Sequence, residues 1–448
     1  MCYAIPGKII SIENDIATID YFGEYRKARI INSGNLTLET RQDPKPKTKD
    51  PRLRTGDFVY AQGGIIVDVV EEAEALAILE EWKERFFELK KTDEQQSITA
   101  TSEVVNENNI PTHAGMLDII RINDTAKLQS LYKKANAARA KHIQNACCVH
   151  GIIEFSNYCQ NDCTYCGINK NNKKITRYRM SEVEITETAV HAVKELGFKA
   201  LVLQSGEDSF YTDGLLISII KKIREHCGVL LFISIGERSA ACYRRLYDAG
   251  AYGALLRFET SNAELYSSLH PQSKRKLSDR LALIRELKQI GFVLATGFMV
   301  GLPGETEQDL INNILLTKSI NPDMFSFGPF IPHPHTQLAS SAKLSSELAL
   351  KTIALSRLVA PDSHILVTTA LETLDHEAKR KALLAGANSL MINVTPGKYC
   401  RYYDIYPGKM QDTENKTTKG KKPKTQDTIR ETLNLLYSLG RAPTDLLK

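Results

Sequence analysis

The sequence predicts an α/β protein whose larger part is a (β/α)8 barrel of the TIM type, preceded by a small OB-like β-barrel with a C-terminal helix. Three observations predict it. From Gly151 onward, eight short apolar runs alternate with helical stretches. Those runs carry apolar residues on both faces, as strands buried inside a closed parallel barrel must. Before about residue 90 the pattern differs: short strands punctuated by turn residues, then a charged helix. An open nucleotide-binding sheet would need a G-x-G-x-x-G turn or a P-loop, and the sequence has neither.

The small-barrel strands fall at residues 7–12, 16–21, 27–31, 57–61 and 63–69. The helix after them has an apolar stripe through Leu76, Ile78, Leu79 and Trp82. Residues 91–109 are polar and aperiodic and read as a linker. The expected organisation is therefore a small domain over 1–90, a linker over 91–114 and the large barrel with a helical extension over 115–448. Few contacts should cross such a linker, so the large barrel is expected to fold without the small one. Its strands are expected at 152–156, 200–204, 230–235, 254–258, 293–300, 324–330, 365–369 and 389–394, with helices such as 181–196, 215–226, 239–249 and 305–319 between them. The basic run 416–424 reads as a solvated loop, followed by an amphipathic helix over 428–439.

Composition narrows the function. The 448 residues are 42% hydrophobic and 25% charged, ordinary values for a soluble protein. A net charge of +5 gives no reason to expect nucleic acid or an anionic membrane as partner. No apolar run approaches a membrane span, and the first residues do not resemble a signal peptide. Nine cysteines, three of them clustered, suit a reducing compartment, and a cytoplasmic location is expected.

The clustered cysteines carry the chemistry. Cys159, Cys163 and Cys166 stand in a C-x3-C-x2-C spacing directly after the first strand of the large barrel. Three thiolates on one loop can hold three irons of a 4Fe-4S cluster, leaving the fourth iron open to a small molecule. That corner can chelate the amino and carboxylate groups of S-adenosyl-L-methionine, whose sulfonium the cluster then cleaves reductively. The competing reading is a zinc knuckle, which needs a fourth Cys or His close by. The nearest histidine, His150, lies on the far side of the predicted strand. In a (β/α)8 barrel, the loop after a strand sits at the catalytic face.

With these residues in view, the region from about 115 to 442 resembles the radical-SAM enzymes, and within them the FeFe-hydrogenase maturase family HydE. The likeness rests on the cysteine loop and on the blocks Leu203-Gln-Ser-Gly-Glu-Asp208, Gly236-Glu-Arg238, Leu255-Leu-Arg-Phe-Glu-Thr260, Leu269-His-Pro271, Thr296 to Thr306, and Asn393 to Lys409. The resemblance implies that Gly206 and Glu207 receive the methionine amino group. It implies that Arg257 holds the methionine carboxylate and that Glu237 binds the same cofactor; a guanidinium fork suits a carboxylate. It places Tyr165 beside the adenine, where plain packing is the equal alternative, and makes the strand end around Gly301 a surface a flat base can approach. Tyr399, Tyr403 and Tyr406 match aromatic positions of the family and would line the substrate cavity, unless they belong to a helix that closes the barrel mouth. Many relatives carry a second, C-terminal cysteine set; here only Cys400 lies in that region, so one cluster is expected.

Residues 1–90 resemble the HypC/HupF family of hydrogenase assembly chaperones, through Met1-Cys-Tyr-Ala-Ile-Pro-Gly-Lys-Ile9 and Gly56-Asp-Phe-Val-Tyr60. Cys2 matches the cysteine that helps carry an iron–cyanide–carbonyl unit in that family. The family's histidine is replaced by Gln62, which has no imidazole nitrogen to offer iron. The alternative is that the small barrel only docks. Together the two resemblances imply maturation of a hydrogenase iron cofactor, with attack on an iron-containing precursor, small or protein-bound. They imply hydrogenase maturation proteins as partners and an electron donor such as ferredoxin or flavodoxin. Rival readings are a methylornithine-synthase-like or biotin-synthase-like enzyme, and a non-catalytic scaffold for iron-cofactor assembly.

Overall fold

The computed structural model describes residues 4–31, 53–98, 111–271, 275–407 and 425–446. Cys2 and the basic run 416–424 lie outside them. Five strands form the small barrel: β1 (Gly7–Glu13), β2 (Ile16–Tyr21), β3 (Glu24–Arg29), β4 (Phe58–Gln62) and β5 (Ile65–Val70). They close in the order β1-β2-β3-β5-β4. Alternation along β2 buries Ala17, Ile19 and Tyr21 completely, the pattern of a half-buried strand. The β4–β5 hairpin turns on Gly63 and Gly64, with φ of 55° and 73°. Two successive positive φ values are the geometry of a tight hairpin turn and favour Gly-Gly.

The long helix Glu72–Ile98 follows. Two sequence expectations are corrected here. Of the expected stripe Leu76 is exposed, whereas Trp82 is buried and Ile78 and Leu79 pack against the core; Ala75, Phe86 and Leu89 complete the inward face. Residues 91–98, read as linker, are the last turns of this helix. They are held because Asp93, 4% exposed, accepts from Arg139 at 2.7 and 2.8 Å.

The large barrel consists of β6 (Ala146–Ser156), β7 (Ala200–Ser205), β8 (Leu230–Ser234), β9 (Gly253–Leu255), β10 (Val293–Thr296), β11 (Met299–Val300), β12 (Met324–Pro329), β13 (His364–Val367) and β14 (Ser389–Asn393). All pairings among them are parallel, and β10 pairs with β12 to close the ring. The run expected as one strand over 293–300 splits into β10 and β11. At the break, Gly297 O accepts from both Phe258 N and Glu259 N, at 2.8 and 3.2 Å. β6 starts six residues earlier than expected, because its first half pairs with β14 and with a final short strand, β15 (Ala442–Pro443). The C-terminal helix is Thr425–Ser438. Among the described residues no helix is long and apolar enough to cross a membrane.

The small barrel covers the N-terminal end of the large one. Phe58, Tyr60, Ile65, Val67 and Val70 share one apolar cluster with Ile152, Val202, Phe232, Ala295, Met324 and Leu366 of the barrel interior. Lys199 Nζ lies over the Tyr60 ring at 3.8 Å. A Cβ on Gly63 would stand 2.9 Å from Leu230 Cδ2, so the hairpin tip is pressed on the start of β8. The expectation of few contacts between the two domains is therefore wrong. Their shared apolar core means that neither domain's surface is finished alone.

Candidate active site

β6 ends at Ser156 and leads into the cysteine loop at the C-terminal mouth of the barrel. Asn157 anchors the loop's start, donating from Nδ2 to Thr176 O at 2.8 Å and Tyr402 O at 2.7 Å. Arg177 holds its far side: its guanidinium donates to Ile168 O at 2.8 Å, Asn169 O at 2.5 Å and Asn172 O at 3.2 Å, and also to Asn157 O. Two further backbone bonds, Gln160 N to Glu207 O and Thr164 N to Leu269 O, lay the loop across neighbouring strand and helix ends at 2.9 and 3.0 Å. Gly206 permits that approach, since a Cβ there would be 2.2 Å from Tyr158 O and 2.8 Å from Cys159 Cβ.

The three thiols face each other in a low-dielectric setting. Burial raises all three, and for Cys163 the charges of Cys166 and Cys159 raise it further. Cys166 is pushed up to about 12, mainly by burial and next by Cys159. Three thiolates crowded this way need a cationic centre to offset their repulsion. A structural zinc ion would need a fourth Cys or His to close its shell. Three partly exposed cysteines on a rigid loop fit the iron–sulfur cluster.

A linked set of charges runs round the same mouth. Glu207 Oε1 accepts from Glu237 N at 2.6 Å, and Oε2 from Gln160 Nε2 at 3.3 Å. The Glu237 carboxylate is paired with Arg275 at 2.7 Å and with Arg280. Arg280 also donates to Arg257 O at 3.1 Å. Arg257 Nε stands 3.3 Å from Glu259 Oε1, with its side chain 27% exposed. Glu259 has φ of 68° and leaves Oε2 buried without a hydrogen-bond partner. Tyr165, between two of the cysteines, meets His270 Nε2 at 3.2 Å through its hydroxyl. Burial, then the charge of Cys163, holds that phenol well above 10. Tyr165 packs with Met299 and Leu302, which flank Gly301. Gly301 N donates to Glu305 Oε2 at 2.6 Å, and burial pushes Glu305 up to about 7. Cys159, Cys163, Cys166, Tyr165, Gly206, Glu207, Glu237, Arg257 and Gly301 are thus brought to one mouth by direct contacts or single intermediaries.

The tyrosines separate. Tyr403 is 3% exposed, and its phenol is raised by burial and next by the charge of Glu154. Tyr399 stacks on Tyr178 at 4.9 Å, and its hydroxyl donates to Glu184 Oε1 at 2.7 Å, on the helix Glu182–Lys194. The Tyr406 hydroxyl bonds Thr369 Oγ1. Three residues that sequence reasoning missed belong to this mouth: Arg177, Arg280 and Glu154. Glu154 is 2% exposed and accepts from Asn393 Nδ2 at 2.8 Å. A signal for it existed, since it interrupts the apolar run Gly151-Ile-Ile-Glu-Phe155 at a fixed register.

Comparison with known proteins bears on this arrangement. Residues 153–316 match the radical SAM superfamily, residues 1–82 the HupF/HypC family, and residues 326–440 the biotin and thiamin synthesis associated domain. The FeFe hydrogenase maturase subunit HydE of Thermotoga maritima is 40% identical over 299 residues, covering 67% of this chain and 85% of that protein. The 3-methylornithine synthase of Methanosarcina acetivorans is 31% identical over 272 residues, 60% of this chain and 76% of that protein. A solved methylornithine synthase structure shares the fold, with a TM-score of 0.64 at 23% identity, over 79% of this chain and 97% of that one.

Proposed function

The chain belongs to the HydE family of radical-SAM enzymes, and from that premise we propose that it acts in maturation of a hydrogenase iron cofactor. The observation that carries the reading is the cysteine loop, held rigid at the barrel mouth inside the segment that matches HydE. Cys159, Cys163 and Cys166 would hold a 4Fe-4S cluster, which would supply the one electron needed to cleave the sulfonium of S-adenosyl-L-methionine to methionine and a 5'-deoxyadenosyl radical.

The residues around the loop have the chemistry to bind that cofactor. Glu207 offers carboxylate oxygens to the amino group from beside the cysteines. Arg257 exchanges its loose contact with Glu259 for the methionine carboxylate, a pairing that suits a planar fork. Glu237 acts by fixing Arg280 and Arg275 and by donating its backbone N–H to Glu207. Tyr165 and the strand end at Gly301 frame the adenine. Tyr403, buried beside Glu154, is the best placed of the three tyrosines to reach a substrate inside the barrel. Tyr399 and Tyr406 are engaged by Glu184 and Thr369 and shape the mouth.

An iron-containing precursor, small or protein-bound, is the substrate class this reading requires. Hydrogenase maturation proteins and a ferredoxin or flavodoxin are the partners it calls for. The small barrel, with Cys2 at its start, serves docking or handling of the iron fragment. Anaerobic reconstitution followed by an assay for 5'-deoxyadenosine tests the core of the proposal. The wild-type chain should form it on reduction, and Cys163→Ala should form none. Unchanged cleavage in Cys163→Ala would sink the assignment.

A further inference from the structure

A second cluster of ligating side chains lies at the other end of the barrel. Cys148 and His150 are two residues apart on β6, so both point to the same side of the strand. His150 faces the interior, its ring 5.2 Å from that of Phe232. β15 runs parallel beside the start of β6, pairing Ala442 with Ala146 and Pro443 with Cys147. That register carries Asp445 alongside the same two residues. One ligand atom each from Cys148, His150 and Asp445 lie within 4.8 Å of one another, and the three residues are 6%, 2% and 2% exposed. From Cys148 to the end of β6 at Ser156 the strand rises roughly 26 Å, so this cluster is remote from the three-cysteine loop.

Hydrogen bonding leaves the cluster unfinished. His150 Nε2 stands 3.0 Å from Asp445 Oδ2 without hydrogen-bond alignment, and His150 Nδ1 is buried without a hydrogen-bond partner. Buried unpaired polar atoms of this kind are rare and costly. The Cys148 sulfur meets His364 Nδ1 at 3.1 Å, and Asn388 Nδ2 approaches the same nitrogen at 3.2 Å. The thiol is therefore oriented by a neighbouring imidazole.

We propose that Cys148, His150 and Asp445 form a binding site for one divalent transition-metal ion, zinc(II) or iron(II), in the floor of the large barrel. One thiolate, one imidazole and one carboxylate are a donor set for these ions and a poor one for magnesium or calcium. The ion would sit among the Cys148 sulfur, a His150 ring nitrogen and an Asp445 carboxylate oxygen. Binding would displace the proton of the Cys148 thiol, which is released to solvent, as thiol ligation to such ions requires. Three protein ligands leave a fourth position open. His364 is a positioning residue for the thiol.

The test uses the full chain with its iron–sulfur cluster loaded, dialysed against zinc(II) and examined by metal analysis and zinc K-edge X-ray absorption. One zinc per chain is expected, with one sulfur at about 2.3 Å and nitrogen or oxygen ligands at about 2.0–2.2 Å. Asp445→Asn and His150→Gln should each weaken zinc binding about 100-fold, and Cys148→Ser should remove the sulfur from the shell. Where Cys148→Ser does not fold, the near-isosteric Asp445→Asn decides. Displacement of zinc by an equal concentration of iron(II) would make iron the preferred occupant; retention would make it zinc. No zinc retained by the wild-type chain, a shell with two or more sulfurs, or equal retention by Asp445→Asn would each overturn the site.

Discussion

Replacing Asp93 by alanine is expected to unfasten the two domains. Asp93 lies near the end of the helix Glu72–Ile98 and takes both terminal nitrogens of Arg139, at 2.7 and 2.8 Å. Arg441 Nε stands 3.3 Å from its Oδ1. Both arginines are fully buried, and burial, with the charge of Arg139, brings Arg441 down to about 9. Alanine would leave two guanidinium groups with only neutral acceptors, chiefly Asn136 Oδ1, Gln144 O and Leu383 O. Removing one partner of a buried ion pair costs about 3–5 kcal/mol, and two stranded cations place this case at the upper end. With a urea m value of roughly 3 kcal/mol/M, the unfolding midpoint should fall by about 1.5–1.7 M. Asp93→Asn keeps one acceptor oxygen and should fall less. Cofactor cleavage should persist below the new midpoint, since the cysteine loop is anchored at the opposite end. A midpoint for Asp93→Ala within about 0.3 M of wild type would refute the interlock.

Two further outcomes follow from the mouth of the barrel. Arg177→Met keeps the side chain's bulk but removes its donors to four loop carbonyls; iron should then be lost to a chelator roughly 10-fold faster at unchanged circular dichroism, and an unchanged rate would free Arg177 of this role. Glu305 is held up to about 7 by burial, above its ordinary 4.5. A raised carboxyl favours the folded state fully below about 4.5 and loses that advantage as pH climbs through about 7, a change of at most about 3 kcal/mol. Urea midpoints of Glu305→Gln should therefore be flatter over that window than those of wild type, and parallel profiles would contradict the burial argument.

The large barrel was legible because each of its strands must be apolar on both faces, a local property that survives in any context. β6 shows where that signal stops. Its first half contains Cys147, Cys148 and His150, and its partners β14 and β15 come more than two hundred residues later. No local pattern announces them. The supposed linker failed for the same reason: Asp93 looks like any polar residue until Arg139 and Arg441 are beside it. In the site, the cysteines stood out because cluster chemistry fixes their spacing. Arg177 did not, since its partners are backbone carbonyls, which carry no sequence signature. The resemblance makes Glu237 a cofactor ligand, and the fold pairs its carboxylate with Arg275 and Arg280.

The placement of Gln62 bears on two ways a small barrel of this kind can work. Residues 1–82 match the HupF/HypC family, and the resemblance read from the sequence would put a histidine where Gln62 stands. Here Gln62 is 1% exposed at the end of β4, and the adjoining Gly63 presses on Leu230 and Val293 of the large barrel. A carrier that passes its load to a separate protein needs that position at an open surface. A position closed between two barrels exchanges nothing with a partner unless the shared apolar core first separates, and Asp93 with its two arginines opposes that separation. A barrel fixed as a floor fits this placement better than a shuttle. Metal handled at that end would then meet the interior of the large barrel, where Cys148, His150 and Asp445 converge, and the zinc measurement on the intact chain reads that interior directly.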